Sequence, residues 1–196
     1  MAEITIDAIK KLKELSGVGL TDAKKALVEA NGDFDKALKA MREKGLTKAE
    51  KRGDRETREG IIASYVHDNR LGAIVEVNCE TSFVANTDEF KELAHKLAMQ
   101  IASMNPLYVS EADIPKAAYN EKAAEFEANF KGPENMKEQI IEGQIKKAFA
   151  DKVLMLQPYI LDDSKTVAEF IKEMIAKTGE NITVRQFKRI ELGVNE

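Results

Sequence analysis

Residues 71–90 read Leu71-Gly72-Ala73-Ile74-Val75-Glu76-Val77-Asn78-Cys79-Glu80-Thr81-Ser82-Phe83-Val84-Ala85-Asn86-Thr87-Asp88-Glu89-Phe90. The first seven are rich in β-branched residues and predict a strand. From Phe90 onward, Leu93, Ala94, Leu97, Ala98 and Ile101 recur at the spacing of a helix with one apolar face. Asn86 or Thr87 can cap that helix, and Asp88 and Glu89 suit its positive N-terminal end. Phe83 and Val84 therefore fall in a short strand-to-helix connection. Such connections run over the surface, so an aromatic residue there has two readings. It can fold under the loop and close the end of the core, as large apolar residues commonly do. It can instead project as a rigid anchor for a partner's pocket, as interface hot spots do. The residue pattern alone leaves both open.

Working outward, Ile61 to His67 also reads as a strand, and Asp68-Asn69-Arg70 as the turn that returns the chain into Leu71–Asn78, so a β-hairpin is predicted. The helix after Phe83 is expected to end near Met104, where Asn105-Pro106 breaks it. Ile114-Pro115 opens a further helix carrying Tyr119, Ala123, Phe126 and Phe130 on one face, and Gly132-Pro133 ends it. From Glu134 to Asp151 the pattern is helical, with a break expected at Gly143. Pro158 halts any helix through Val153–Leu156. Thr166 and Glu169 match a capping box ahead of Val167, Phe170, Ile171, Met174 and Ile175, and Gly179 ends that helix. Ile182-Thr183-Val184 starts a last strand whose alternation slips near Phe187, as a bulge would cause, and Ile190 and Leu192 finish it. Strands at both ends with helices between them predict an α+β domain with a small antiparallel sheet packed against helices.

Upstream, three short helices are expected. Ala8, Ile9, Leu12 and Leu15 share one face, with Ser16-Gly17 as a stop. A tight turn at Val18-Gly19-Leu20 follows, with Thr21 as N-cap. Ala23, Ala26, Leu27 and Ala30 form a second face that ends at Asn31-Gly32. Asp33 caps the third helix, whose face is Phe34, Ala37, Leu38 and Met41 and whose end is placed at Gly45. Helices joined by loops this short bury their faces against one another. Thr47 to Glu59 is charged with mixed signs and reads as a solvated linker or a helix with its own ion pairs. The expected division is a three-helix N-terminal domain over 1–53 and an α+β core over 54–196.

The chain has 196 residues, 43% hydrophobic and 33% charged, as an ordinary globular protein does. A formal charge of −4 argues against a protein built mainly to bind nucleic acid. No apolar run is long enough to span a bilayer, and Met1-Ala2-Glu3 lacks the start of a signal peptide. The single Cys79 cannot form an internal disulfide, which fits a reducing cytoplasm, and it reads as a small buried hydrophobe. His67 and His95 are the only histidines and have no partners at metal-ligand spacing; both read as surface residues. Gly17-Val18-Gly19 resembles a fragment of a phosphate loop, but no Gly-Lys-Ser/Thr follows. No serine lies in a nucleophile elbow, and Asp162-Asp163 sits beside a cap. The residues support no catalytic site, metal or cofactor, and no enzyme.

Several motifs together resemble the bacterial elongation factor Ts family. Gly17-Val18-Gly19-Leu20-Thr21-Asp22-Ala23-Lys24-Lys25-Ala26-Leu27 is similar to its opening signature, continued by Asn31-Gly32-Asp33 and Lys39-Ala40-Met41-Arg42. Val77-Asn78-Cys79-Glu80-Thr81-Ser82-Phe83-Val84-Ala85 is similar to its central motif. Gln157-Pro158-Tyr159 and Ser164-Lys165-Thr166-Val167 are similar to its C-terminal part. The resemblance spans nearly the whole chain in order. It implies a ubiquitin-associated-like three-helix N-terminal domain before the core. It also implies the compact form, without the dimerisation hairpin inserted in longer members; pairing through the sheet region into a homodimer and a 2:2 complex is compatible with it.

The implied function is guanine-nucleotide exchange on elongation factor Tu. Thr81, Ser82, Phe83 and Val84 would insert between helices of the partner's GTP-binding domain, with Phe83 wedged into an apolar gap, dislocating Mg²⁺ and the β-phosphate contacts. Leu20 and Thr21 match the family's second contact, although Leu20 can equally close the three-helix bundle. The chain itself would bind no nucleotide, nucleic acid or membrane. One departure stands out: the family's motif reads Thr-Asp-Phe-Val, and this chain has Ser82 in place of the aspartate, with Asn86 where the family usually has Lys or Arg. The charge is lost while the apolar half is kept, so exchange is expected to depend more on Phe83. Two other classes compete. One is a plain interaction module whose bundle binds ubiquitin-like or other helical surfaces. The other is an RNA-binding protein using Lys48, Lys51, Arg52 and Arg55, which the acidic balance disfavours.

Overall fold

The computed structural model describes residues 4–16, 19–50, 52–133 and 136–194. Three helices come first: α1 (Ile6–Ser16), α2 (Leu20–Glu29) and α3 (Phe34–Glu50). They bury Ile9, Leu12, Ala23, Ala26, Leu27, Ala37 and Met41 in a cluster of their own, as the three apolar faces predict. The expected stop at Gly17 and the turn at Val18 lie outside the described residues. Thr21 is not a cap: α2 begins at Leu20 behind Gly19, so Thr21 belongs to the first helical turn. At its other end Asn31 and Gly32 take φ of 53° and 84°, and the Gly32 N–H donates to the Leu27 carbonyl at 2.8 Å. Asp33 accepts from the Lys36 N–H at 3.1 Å and starts α3.

α3 does not end at Gly45. A glycine inside a helix costs only about 1 kcal/mol, and running on to Glu50 places Ala49 in the main core. There the end of α3 packs on α8 (Val167–Thr178), and Arg52 donates to the Ile175 carbonyl at 3.3 Å. One helix thus serves both the bundle and the core.

The core is built on β1 (Glu59–His67), β2 (Leu71–Cys79) and β5 (Ile182–Glu191), an antiparallel sheet in the order β1-β2-β5. Asp68, Asn69 and Arg70 connect β1 to β2; Asp68 and Asn69 take φ of 48° and 55°, and the Arg70 N–H donates to the His67 carbonyl at 3.0 Å. Gly60 lies opposite Asn78, and a Cβ there would run into the Val77 carbonyl oxygen, so only glycine fits this pairing. The bulge falls at Arg185, two residues before the expected slip: Glu76 pairs with Gln186 and Val77 with Val184.

On one face of the sheet, Ala73, Val75, Val77 and Cys79 meet Phe90, Leu93, Ala94, Leu97 and Ile101 of α5 (Asp88–Met104), and Val167, Ile171 and Ile175 of α8 close the layer. On the other face Ile62, Val66, Ile74 and Ile190 are exposed. α6 (Lys116–Ala128) and α7 (Lys137–Phe149) fold onto each other over Ile114, Ile141, Ile145, Phe149 and Val153. α7 runs unbroken through Gly143, because Ile141, Ile145 and Phe149 keep one face at a four-residue spacing. A small hairpin of β3 (Pro158–Tyr159) and β4 (Asp162–Thr166) follows, unforeseen in the sequence, with Tyr159 stacked on Phe170 at 4.1 Å between ring centroids. Thr166 and Glu169 form the predicted capping box, and Gly179 ends α8 at φ 82°. The fold is α+β with an antiparallel sheet. Among the described residues, no helix is long and apolar enough to cross a membrane.

Candidate partner-binding site

The connection between β2 and α5 is itself structured. Ser82–Ala85 form α4, a single helical turn. Successive residues of a helix are rotated by about 100°, so one turn cannot hide all of its side chains. Val84 and Ala85 are buried in the main core, whereas Phe83 is 81% exposed. Phe83 therefore does not fold under the loop to close the core; its ring projects into solvent.

Both ends of this turn are tied down. Thr81 is its N-cap, with Oγ1 accepting from the Val84 N–H at 3.4 Å. At the C-terminal end, Asn86 Nδ2 donates to the Ser82 carbonyl at 2.8 Å, and the Thr87 hydroxyl donates to the Val84 carbonyl at 2.8 Å. Thr87 also caps α5, accepting from the Phe90 N–H at 3.3 Å. The sequence offers the α5 cap to either residue; Thr87 takes it, while Asn86 closes α4, a turn the sequence does not foresee.

From the far end of the chain, the α8–β5 turn reaches the same place. Thr81 donates its backbone N–H to Glu180 Oε2 at 3.0 Å and its hydroxyl to Glu180 Oε1 at 2.6 Å. In return, the Asn181 N–H donates to Glu80 Oε1 at 2.6 Å. Asn181, 2% exposed, donates through Nδ2 to the carbonyls of Gly53 and Arg55 at 3.2 and 2.8 Å. Arg55 pairs with Glu80 at 3.4 Å. In the sequence Gly179 marks a helix stop, and neither Glu180 nor Asn181 is among the expected site residues. Their signal was a pair of hydrogen-bonding residues between a left-handed glycine and a buried strand.

Cys79 lies beneath this site, fully buried, its thiol donating to the Thr81 carbonyl at 3.2 Å. Burial, helped by the Glu180 charge, pushes the thiol up to about 11. At pH 8 only about one such thiol in a thousand is ionised. Native protein should therefore react with a disulfide reagent at least about 100-fold more slowly than the unfolded chain; labelling at the unfolded rate would contradict this burial.

The other predicted residues lie elsewhere. Leu20, 52% exposed, and Thr21, also exposed, sit on the first turn of α2, outside the buried cluster of the bundle. His67 accepts or donates at 3.0 Å with the Tyr65 hydroxyl, and His95 is exposed and meets the Tyr65 ring edge-on at 5.7 Å. Among the described residues, no group of three or more His, Cys, Asp and Glu is placed to hold a metal ion. The site presents one exposed aromatic on a fixed mount.

A sequence model of elongation factor Ts matches residues 7–194. The chain is 52% identical to the elongation factor Ts of Thermotoga sp. (strain RQ2) over 193 residues, covering 97% of each chain. It is 46% identical to that of Thermoanaerobacter pseudethanolicus over 194 residues, covering 97% of this chain and 95% of the relative. It is 44% identical to that of Fervidobacterium nodosum over 195 residues, covering 97% and 99%. With a family match over residues 7–194 and relatives 44–52% identical along nearly its whole length, this chain belongs to the elongation factor Ts family of translation elongation factors.

Proposed function

We propose that this chain is a guanine-nucleotide exchange factor for elongation factor Tu. The observation that carries the reading is Phe83: an aromatic ring 81% exposed on a helical turn fixed at both ends. An ordered ring loses little further freedom on docking, so more of its contact energy appears as binding. Wedged between helices of the partner's GTP-binding domain, with Thr81 and Ser82 beside it and Val84 holding the turn from inside the core rather than touching the partner, the ring would displace the groups that hold Mg²⁺ and the β-phosphate. GDP then dissociates faster because those charge contacts carry much of its affinity. Coupling is reciprocal: a factor that weakens nucleotide binding is itself released when nucleotide rebinds. The factor makes and breaks no covalent bond, so in this reading it is not an enzyme, and it needs no cofactor.

Leu20 and Thr21 supply a second contact from the N-terminal domain, taken as residues 1–53, with 54–196 as the core. The exposed Ile62, Val66, Ile74 and Ile190 on the outer face of the sheet suit pairing of two copies, giving a homodimer and a 2:2 complex. As a partner of elongation factor Tu, the chain works in the cytoplasm.

The test is release of a fluorescent GDP analogue from the cognate elongation factor Tu, followed with and without this chain. Marked acceleration at catalytic amounts supports the reading. Binding without acceleration would leave an interaction module and sink the exchange role.

A further inference from the structure

We propose that Glu180 is a positioning residue for exchange: its carboxylate clamps Thr81 and so holds α4, with Phe83, in the orientation offered to the partner. This rests on the exchange reading above and goes beyond it, because Glu180 lies 99 residues from Thr81 in the chain and outside the motif that carries the wedge.

The first reason is the weakness of a single helical turn. A helix nucleus fixes several dihedral angles for very few hydrogen bonds and does not persist unaided in water. α4 has two backbone bonds of its own kind, from Ala85 to Thr81 at 3.2 Å and from Asn86 to Ser82 at 3.1 Å. Its shape must come from outside. Burial of Val84 and Ala85 holds one side, and Asn86 and Thr87 hold the C-terminal end. At the N-terminal end, Glu180 holds Thr81 from another part of the chain.

The second reason is how the clamp is made. Glu180 uses both oxygens on one residue, taking the backbone N–H and the hydroxyl of Thr81. Bonds to an ionised acceptor are stronger than neutral ones. By taking the hydroxyl proton, Glu180 also orients the Thr81 lone pairs toward the Val84 N–H, so the cap depends on the clamp. The mount is rigid in turn. Asn181 is nailed to the Gly53 and Arg55 carbonyls, and its own N–H meets Glu80, one residue before Thr81. Adjacent residues on each side exchange bonds, 80 with 181 and 81 with 180, which fixes the angle between the two segments.

Without the carboxylate, α4 frays at its N-terminal end and Phe83 occupies its docking pose only part of the time. The rate of the wedging step falls in proportion to that fraction. First binding through the rest of the surface does not need the wedge.

The test measures GDP release from elongation factor Tu against factor concentration for wild type, Glu180→Ala, Glu180→Gln, Phe83→Ala and the Glu180→Ala/Phe83→Ala double variant. Glu180→Ala should lower the maximal rate about ten-fold while the half-saturating concentration changes less than about two-fold. Glu180→Gln, whose amide oxygen still accepts from the Thr81 N–H, should recover most of the loss. In the Phe83→Ala background, removing Glu180 should cost far less than the roughly ten-fold seen alone, because the clamp acts chiefly through the ring. An unchanged maximal rate in Glu180→Ala, or the same proportional loss with and without Phe83, overturns the proposal. If wild type itself fails to accelerate release, the exchange reading falls and the positioning role falls with it.

Discussion

Phe83→Ala is expected to reduce the acceleration of GDP release by roughly 30-fold or more while leaving the folded chain as stable as wild type. The size comes from what a central aromatic anchor contributes to an interface, about 2–4 kcal/mol on truncation. The stability half follows from exposure: a ring 81% open to solvent leaves no cavity when removed, and such surface changes stay within about 0.5 kcal/mol. The replacement of the family's aspartate by Ser82 sharpens the expectation. A carboxylate would contribute a charge-assisted contact of its own, whereas Ser82 offers a neutral hydroxyl, so the ring carries a larger share here. Two measurements decide it, the release rate and the thermal midpoint. Loss of both together would place Phe83 in folding; retention of both would remove it from the site.

Legibility of this molecule in its sequence divides along contact range. The amphipathic faces of α2, α5 and α8 are local patterns legible with their residues; on α1 the face holds at Ile9 and Leu12, but Leu15, expected on it, is 52% exposed. The capping box at Thr166 and Glu169 and the turn at Asp68-Asn69 are equally local. Errors came where distant contacts overrule a local signal. Gly45 and Gly143 looked like stops, but the burial of Ala49 and of the Ile145 face outweighs one glycine each. β3 has two residues, too few to show any alternation. At the candidate site the motif marked the right segment, yet the direction of Phe83 could not be read. A single turn has no visible period, and what fixes it includes Glu180, far along the chain. The family resemblance implies a role for the ring; its mount is a set of contacts between residues far apart in the chain.

A second arrangement fixed by contacts between distant segments lies in the interior. Gln100 lies on the buried side of α5, three residues after Leu97, and Gln157 follows the short 3-10 turn Leu154–Leu156; both are fully buried. Polar side chains in such places must be matched or they destabilise strongly. Here they match each other and the backbone around them. Gln157 Nε2 donates to the Asp151 carbonyl at 2.7 Å and to the Met104 carbonyl at 3.2 Å, while its Oε1 accepts from Gln100 Nε2 at 3.1 Å. Gln100 Nε2 also donates to the Pro158 carbonyl at 3.1 Å, and Gln100 Oε1 accepts from the Ile160 N–H at 2.8 Å. The pair joins α5 to the chain entering and leaving the β3–β4 hairpin.

Gln157→Leu keeps the volume but strands two carbonyls and weakens the hold on Gln100. At about 1–3 kcal/mol for each buried group left unpaired, the loss should total roughly 3–5 kcal/mol, a large part of the stability of an ordinary domain. Chemical denaturation would read it as a lower midpoint at unchanged slope. Adding Gln100→Leu should then cost less than it does alone, because each residue removes a partner the other has already lost. Strict additivity, or a loss under about 1 kcal/mol for Gln157→Leu, would mean that water or a rearranged backbone satisfies these groups as well as the glutamines do. The expected coupling sets these two residues apart from the leucines around them. A buried leucine is held by volume and tolerates a similar shape, whereas Gln157 is held by direction, and no apolar isostere restores the carbonyl partners it supplies.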